Sequence, residues 1–449
     1  MTTVPRNLIV ITMAGALMAG CAGVSAQKAA RTTGVVGYGP NPNLPKPNPT
    51  VIPTVNIADA KGWQEGATPT PAKGLKVNAF AAGLDHPRWL HVLPNGDVLV
   101  AETNAPAKHD EGFSLKKAFM KLAMKRAGAA ATSANRITLL RDTDGDGIAD
   151  LRRTFAEGLN APFGMTLSEG KLYVANTDAL VAFPYSRGQT RLGTPEKIID
   201  LPAGNLNHHW TKDVIASPDG RKLYVTVGSN SNVGENGMAA EKYRAAVLEV
   251  DKASRRTRVF ASGLRNPNGL SWNPESGELW VAVNERDELG DDLVPDYMTS
   301  VRDGAFYGWP YSYFGQNVDA RIKPPRPDLV AKAVKPDYAL GSHTASLGLT
   351  FSEGASLGRA YANGAFVGQH GSWNRSVHSG YKVIFVPFAN GKPNGRPRDV
   401  LAGFVGRDGK AMGRPVGVAI DRRGALLVAD DVGNVIWRVS RRYWRVSRR

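Results

Sequence analysis

The feature that most constrains this chain is a pattern that recurs along it from residue 75. Each copy opens with a short polar turn, often introduced by Gly-Leu. A Pro or Gly follows, then an apolar strand, a Pro-Asp-Gly-like hairpin turn, and a second strand ending in small polar residues. Four copies are clear: "GLDHPRWLHVLPNGDVLVAET" (83–103), "GLNAPFGMTLSEGKLYVANT" (158–177), "NLNHHWTKDVIASPDGRKLYVTVG" (205–228) and "GLRNPNGLSWNPESGELWVAVNE" (263–285). Looser copies occupy 341–371 and 413–433. β-Branched and aromatic residues flank turns built from Asn, Asp, Gly and Pro, which is hairpin chemistry. Self-similarity on this scale marks a repeat architecture. Six two-stranded cores, each with room for outer strands, predict an all-β, six-bladed β-propeller. A sandwich or a solenoid is the weaker alternative. "VIWRVSRR" is expected to complete the last blade, and the repeated "WRVSRR" after Tyr443 reads as a duplicated tail, 443–449.

The 49 glycines and 29 prolines among 449 residues agree with many turns. The formal net charge of +16 admits nucleic acid, a membrane surface or a small anionic ligand as partner. Lys and Arg are spread along the chain, so no nucleic-acid partner is expected. After residue 25 no stretch approaches the ~18 apolar residues that span a bilayer.

The one cysteine, Cys21, excludes an intramolecular disulfide. It follows the apolar run "LIVITMAGALMAG", which reads as a secretory signal. "LMAGC" resembles a bacterial lipobox with Cys21 lipidated. Cleavage after Ala26 is the alternative, and would discard the cysteine. The expected order is therefore a signal peptide (1–20), a lipid-anchored Pro-rich linker and strap (21–74), a propeller (75–442) and the tail. The expected location is the periplasm, on the membrane through the lipid. Residues 34–54 carry six prolines and read as extended and semi-rigid. Within 104–134, Lys117, Lys121 and Lys125 recur at i, i+4 beside Leu115, Phe119 and Leu122, predicting a basic amphipathic helix inserted in the first blade region.

In a propeller, equivalent positions of every blade converge near the axis. The loop entering each inner strand holds, in turn, His86 and Arg88, Asn160, His208 and His209, Arg265 and Asn266, His343, and Arg414. Convergent polar groups in one concavity make a candidate site. Arginines there suit a polyanion, because they offer forked donors to carboxylates. For the adjacent pair, strand alternation would send His208 and His209 to opposite faces. Separately, "RDTDGDGIAD" sets Asp142, Asp144, Asp146 and Asp150 in the pattern that opens a calcium loop. Arg153 stands where an EF-hand has Glu, so a shorter Asp-rich loop fits better than an EF-hand.

From about residue 41 to 440 the chain resembles the PQQ-dependent soluble glucose/sorbosone dehydrogenase family, most of all its sorbosone-dehydrogenase branch. The motifs that carry the resemblance are "GLDHPRWLHVLPNGDVLVAE", "NRITLLRDTDGDG", "HHWTKDVIASPDG", "GLRNPNGLSWNP", "VNERDELGDDLVPD", "FYGWP" and "QHGSWNR". The resemblance implies PQQ, an ortho-quinone with three carboxylates, and a Ca²⁺ at its quinone edge. It implies His209 as the general base that takes the hydroxyl proton while hydride moves to the quinone. His208 stands where the family often has Asp. Arg265 and Asn266 match cofactor-side residues, Asn160 shares their phase, and Asn374, Arg375 and Arg414 match carboxylate contacts. Trp373 or His343 is implied to lie against the cofactor plane, and Glu285 and Arg286 to hold the Ca²⁺ by backbone carbonyls. The implied activity is oxidation of a sugar, a sorbosone-like aldehyde or another alcohol, with electrons passed to a respiratory-chain acceptor. A Ca-dependent lactonase-like hydrolase and a non-catalytic binding propeller are the alternatives, since fold does not fix function.

Overall fold

The computed structural model describes residues 36–49, 54–106, 126–128, 132–205 and 207–442. The signal segment with Cys21, the greater part of the predicted basic helix and the duplicated tail lie outside the described residues.

Six antiparallel sheets surround a common axis, and five of them read from axis to rim in chain order. Blade 1 comprises Pro87–Val92, Val98–Glu102, Arg136–Arg141 and Leu151–Ala156. Blade 2 comprises Met165–Ser168, Lys171–Ala175, Ala179–Pro184 and Glu196–Asp200, and blade 3 Val214–Ala216, Lys222–Val227, Ala246–Asp251 and Thr257–Ser262. Blade 4 comprises Asn266–Trp272, Leu279–Asn284, Pro295–Ser300 and Tyr338–Ser342. Blade 5 comprises Ser346–Phe351, Gly364–Gln369, Lys382–Ala389 and Arg398–Ala402. Blade 6 takes Pro415–Ile420, Leu426–Asp430 and Val435–Arg441 from the end of the chain and Leu75–Ala82 from before blade 1. The strand holding "VIWRV" is therefore third in its blade, and the ring closes by pairing Val435 with Ala82 through Arg441 with Leu75.

Strand chemistry follows radial position. Second strands, such as Val98–Glu102 and Leu426–Asp430, are buried throughout, each an apolar run closed by a carboxylate. Successive side chains leave a strand on opposite faces, so each strand feeds the cores on either side of its blade. Leu172 and Val174 pack with blade 1, whereas Tyr173 and Ala175 pack with blade 3. Apolar cores lie in this way between every pair of neighbouring blades. Outer strands expose charge, as in Glu196–Asp200 and Arg398–Ala402, which discourages edge pairing.

The first strands crowd the axis. A Cβ on Gly348 would sit 2.2 Å from the Val416 carbonyl oxygen, one on Gly269 2.5 Å from the Leu349 nitrogen, and one on Gly417 2.8 Å from the Arg88 carbonyl oxygen. The loops entering these strands converge on one end of the ring.

Part of the Pro-rich N-terminal segment lies on the propeller. Tyr38–Gly39 pairs with the outer strand of blade 4, and Thr70–Pro71 with that of blade 5. Between them, Trp63 stands edge-on to Phe404 and Trp437, and its Nε1 donates to Asp430 Oδ2 at 2.7 Å.

A methyl group at Gly348 should test the axial constraint. Overpacking of this kind costs about 1–3 kcal/mol, so Gly348→Ala is expected to lower the thermal midpoint by several degrees in calorimetry. Gly193 has nothing within 4 Å of its Cβ position, so Gly193→Ala should leave the midpoint unchanged.

Candidate active site

The blade 3 entry loop carries the histidine pair. His208 and His209 lie on a bend before Val214–Ala216 rather than in a strand, and their rings meet edge-to-face at 4.8 Å. Strand alternation therefore does not separate them. The bend does, leaving His208 exposed and His209 half-buried. His209 Nδ1 lies 2.8 Å from the Ser229 carbonyl oxygen and 3.1 Å from Ser229 Oγ. A carbonyl only accepts, so Nδ1 carries the proton and Nε2 keeps its lone pair. Desolvation, with the Arg265 guanidinium and His208 beside it, holds His209 well below the ordinary histidine range, in its neutral form. Gly228 makes the packing possible: a Cβ there would sit 2.5 Å from both the His209 Cβ and Asn266 Oδ1.

Arg265 begins the blade 4 entry and is buried. It donates to Asn232 Oδ1 (2.9 Å), Asn284 Oδ1 (3.1 Å), the Glu285 carbonyl (2.7 Å) and Asp287 Oδ2 (3.3 Å). The other oxygen of Asp287 meets His343 Nδ1 at 3.2 Å, and His343 Nε2 donates to the Gly290 carbonyl at 2.9 Å. Both nitrogens of His343 thus face acceptors. Burial opposes its charge, but the bond to Asp287 prevails and raises it above the usual range. Asp287 is likewise held low against its burial by His343 and Arg265. One carboxylate between two cations leaves this side of the axis positively charged, which favours an anionic ligand.

The blade 5 and 6 residues are tied to the N-terminal strap. Arg414 Nη2 donates to the Ala58 carbonyl at 2.9 Å, with its guanidinium 5.0 Å from the Tyr381 ring centroid. Asn374 accepts from the Glu288 nitrogen at 2.8 Å and donates to the Thr54 carbonyl at 2.6 Å. The Trp373 carbonyl accepts from Asn56. Arg375 pairs with Asp292 at 2.7 Å.

The structure brings His209, Arg265, Asn266 and His343 together, and sets Trp373, Asn374, Arg375 and Arg414 along the strap. Asn160 stays apart: it is exposed and donates to Asp178 at 2.8 Å. Three groups that motif reading left unassigned also belong to this end of the ring. Asn232 links Arg265 to Asp287, whose nitrogen donates to Asn232 Oδ1 at 3.0 Å. His370 and Asp431 pair at 2.8 Å. His370 lay within the "QHG" motif, and Asp431 within an Asp doublet at the end of a predicted strand, so a signal existed for both.

Two implied ligands can be tested against these contacts. A polycarboxylate fits: Arg375 and Arg414 each retain a buried Nε without a hydrogen-bond partner. A cation at Glu285 and Arg286 does not fit. The Glu285 carbonyl already accepts from Arg265. The Glu285 carboxylate pairs at 3.0 Å with the fully buried Arg286 guanidinium, which also meets Asp319. A divalent ion there would face two arginines. Asp142, Asp144 and Asp146 differ: their carboxylates gather within 4.8 Å of one another. Arg423 lies 3.7 Å from Asp142 at that loop. Asp150 accepts from Thr143 rather than joining the three.

A family described as a domain of unknown function (DUF7133) matches residues 72–378, and one described as TrAA12-like matches 328–442. The chain belongs to the DUF7133 family. An uncharacterized protein of Borreliella burgdorferi is 28% identical over 297 residues, covering 64% of this DUF7133 chain and 77% of that protein. A pyrroloquinoline quinone-dependent pyranose dehydrogenase of Coprinopsis cinerea is 44% identical over 366 residues, covering 70% of this chain. The chain spans 44% of that enzyme's own length. The holo PQQ domain of pyranose dehydrogenase from the same fungus superposes with a TM-score of 0.65 at 19% identity, covering 86% of this chain and 100% of the domain. At that identity the superposition speaks for the shared fold alone.

Asp287→Asn should remove the partner that keeps His343 charged. In histidine NMR titrations His343 is expected to titrate above the ordinary range in the wild type and at lower pH in the variant.

Proposed function

We propose that this protein is a PQQ-dependent sugar dehydrogenase in which His209 is the general base. The observation that carries this is the Ser229 carbonyl on His209 Nδ1, which leaves Nε2 as a proton acceptor beside the cationic Arg265–Asp287–His343 cluster. The neighbours named as PQQ-dependent sugar dehydrogenases support the cofactor and the class of substrate.

The chain's residues have distinct tasks in this reading. Arg375 and Arg414 hold cofactor carboxylates through their unpartnered Nε atoms, and Asn266 offers its side-chain amide. Arg265 and His343 keep the site positive, with Asn232 and Asp287 fixing their orientation. When bound, PQQ supplies a quinone carbon that accepts a hydride from the substrate carbinol carbon. His209 Nε2 takes the hydroxyl proton of that carbinol, so the substrate loses a proton and a hydride and becomes a carbonyl. His343, already protonated, is not a base. A lactonase would need carboxylates free to hold a metal, and Asp287 and Asp431 are each committed to cations.

The finer proposals follow the sequence. The substrate is a sugar, a sorbosone-like aldehyde or a related alcohol. The electrons pass to a respiratory-chain acceptor from a periplasmic protein anchored through lipidated Cys21. Calcium belongs in this reading at the Asp142–Asp146 loop and not at Glu285–Arg286.

Titration of the protein with PQQ should shift the quinone absorption and confer sugar-dependent dye reduction. No binding at micromolar PQQ overturns the reading. His209→Ala should bind PQQ normally yet lose about 10²–10⁴-fold in kcat. Because His209 is held well below the usual histidine range, the acid loss of kcat/KM that follows its protonation should lie below the pH at which an ordinary histidine titrates. Calcium should raise the thermal midpoint of the wild type and leave that of an Asp144→Asn/Asp146→Asn double variant unmoved.

A further inference from the structure

The turn that carries the base is not held by a β-ladder. Residues 207–213 precede the first strand of blade 3 and belong to no strand. Among the described residues, neither the His209 nor the Trp210 carbonyl accepts from a backbone N–H. Both accept instead from the side chain of Lys212, whose Nζ lies 3.4 Å from the His209 oxygen and 3.2 Å from the Trp210 oxygen. Thr177 Oγ1 adds a second bond to the Trp210 carbonyl at 2.9 Å. Lys212 is fully buried and reaches back from a rigid foot. Its own carbonyl accepts from the Gly164 nitrogen at the blade 2 entry, at 2.9 Å. The next residue, Asp213, donates from its nitrogen to Thr226 Oγ1 and accepts at its carboxylate from the Leu270 nitrogen of blade 4, both at 2.8 Å. Burying a lysine costs hydration and rotamer freedom. No carboxylate among the described residues pairs with Lys212 in return: Arg244 adds to the burial in disfavouring its charge, Asp178 offsets only part of this, and the amine is pushed down to about 7. A cation kept at that cost, and aimed at the turn of the base, calls for a role.

We propose that Lys212 is the positioning residue of the base: its ammonium staples the His209 and Trp210 carbonyls to the blade wall and, as a cation near the imidazole, helps keep Nε2 unprotonated. The proposal rests on the reading of His209 as the base. Two anchors then divide the work. Ser229 takes the ring N–H and so sets the tautomer. Lys212 takes the main chain and so sets where the ring begins. Ser229 alone would not do this, because a ring bonded at one nitrogen can pivot about it. The remaining backbone bond of His209, from its nitrogen to the Ser229 carbonyl, is long at 3.4 Å and shares its acceptor with the ring. Misplacing a reacting group by about 1 Å costs roughly 10²-fold in rate, so the fixing of this turn bears on turnover. The charge acts in the same sense. Besides its burial, Arg265, His208 and Lys212 hold His209 low, against the bond from Ser229. At the acid pH where His209 takes up its proton, Lys212 is an ammonium, since that pH lies below about 7. Removing Lys212 therefore raises the His209 titration. Lys212 reaches main-chain oxygens only, so it acts through His209 and not on the substrate.

The first readout needs no cofactor. It is the histidine NMR titration of the full chain, with the His209 signal assigned by its loss in His209→Ala. Lys212→Met keeps the length of the side chain and removes its donor and its charge. It should move the His209 titration up towards the ordinary range. Lys212→Arg keeps a cation and its donors, and should leave that titration near its wild-type position. The second readout uses the chain loaded with PQQ. Lys212→Met should lower kcat about tenfold to a hundredfold, with PQQ affinity and sugar KM within about twofold of wild type. Lys212→Arg should recover most of that loss. A lysine that merely filled space would lower the thermal midpoint on removal and move neither readout. Should Lys212→Met fail to fold, Lys212→Gln carries the test, since its amide keeps a donor and drops the charge, and His209 should again titrate higher. An unmoved His209 titration overturns the proposal. A fall in PQQ affinity as large as the fall in kcat also overturns it, because Lys212 would then serve the cofactor. A titration that moves as expected, in a protein that oxidises no sugar when loaded, leaves the staple standing and sinks the dehydrogenase reading. Sugar oxidation that is lost in His209→Ala and intact in Lys212→Met does the reverse.

Discussion

The close approach of the six first strands at the axis governs the rest of the molecule. Gly269, Gly348 and Gly417 bring backbone against backbone where a single methyl group would not fit. Only by that approach do entry loops separated by more than three hundred residues, at His86 and Arg414, reach the same end of the ring. Polar groups on these loops are then excluded from bulk water together, and each must find a partner among the others.

Those partners are arranged twice on one plan. On blade 4, Asp287 lies between Arg265 and His343. On blade 6, Asp431 lies among Arg88, His370 and His86. The plans differ in charge. His343 is protonated and leaves an excess of positive charge, whereas His370 is neutral and leaves none. Removing one member of a buried charged group strands the remainder, at a cost of about 3–5 kcal/mol. Such clusters therefore fix the geometry of the ring's end as firmly as apolar packing fixes its wall. The difference between them gives one end of the fold two electrostatic environments.

Much of this was legible beforehand. Hairpin periodicity carried the blade count, because turn residues recur with each copy, and the shared phase of His209, Arg265 and His343 placed them together. What failed to read out is instructive. Asn160 shares the phase but turns to Asp178, since a short polar side chain takes the nearest carboxylate. At Glu285 and Arg286, the carbonyl of the first is engaged by Arg265 and its carboxylate by Arg286, side-chain contacts that a backbone-ligand assignment does not register. The bend at His208 and His209 hid behind a strand-like pattern because Trp210 and Val214 supply apolar residues at strand spacing. Asn232 acts through a long-range pair with Arg265, which carries no local signature.

The last blade is made from both ends of the described chain, with Leu75–Ala82 paired along Val435–Arg441. During synthesis, the earlier strand must wait for more than three hundred and fifty further residues before its partner exists. Until then, Phe80 lacks the blade 6 cover it shares in the finished ring, and an unpaired apolar edge is exposed to misassociation. The ring is thus a latch as well as a scaffold. Its cooperativity depends on a contact between remote parts of the chain, so local damage at the seam is felt around the whole circle.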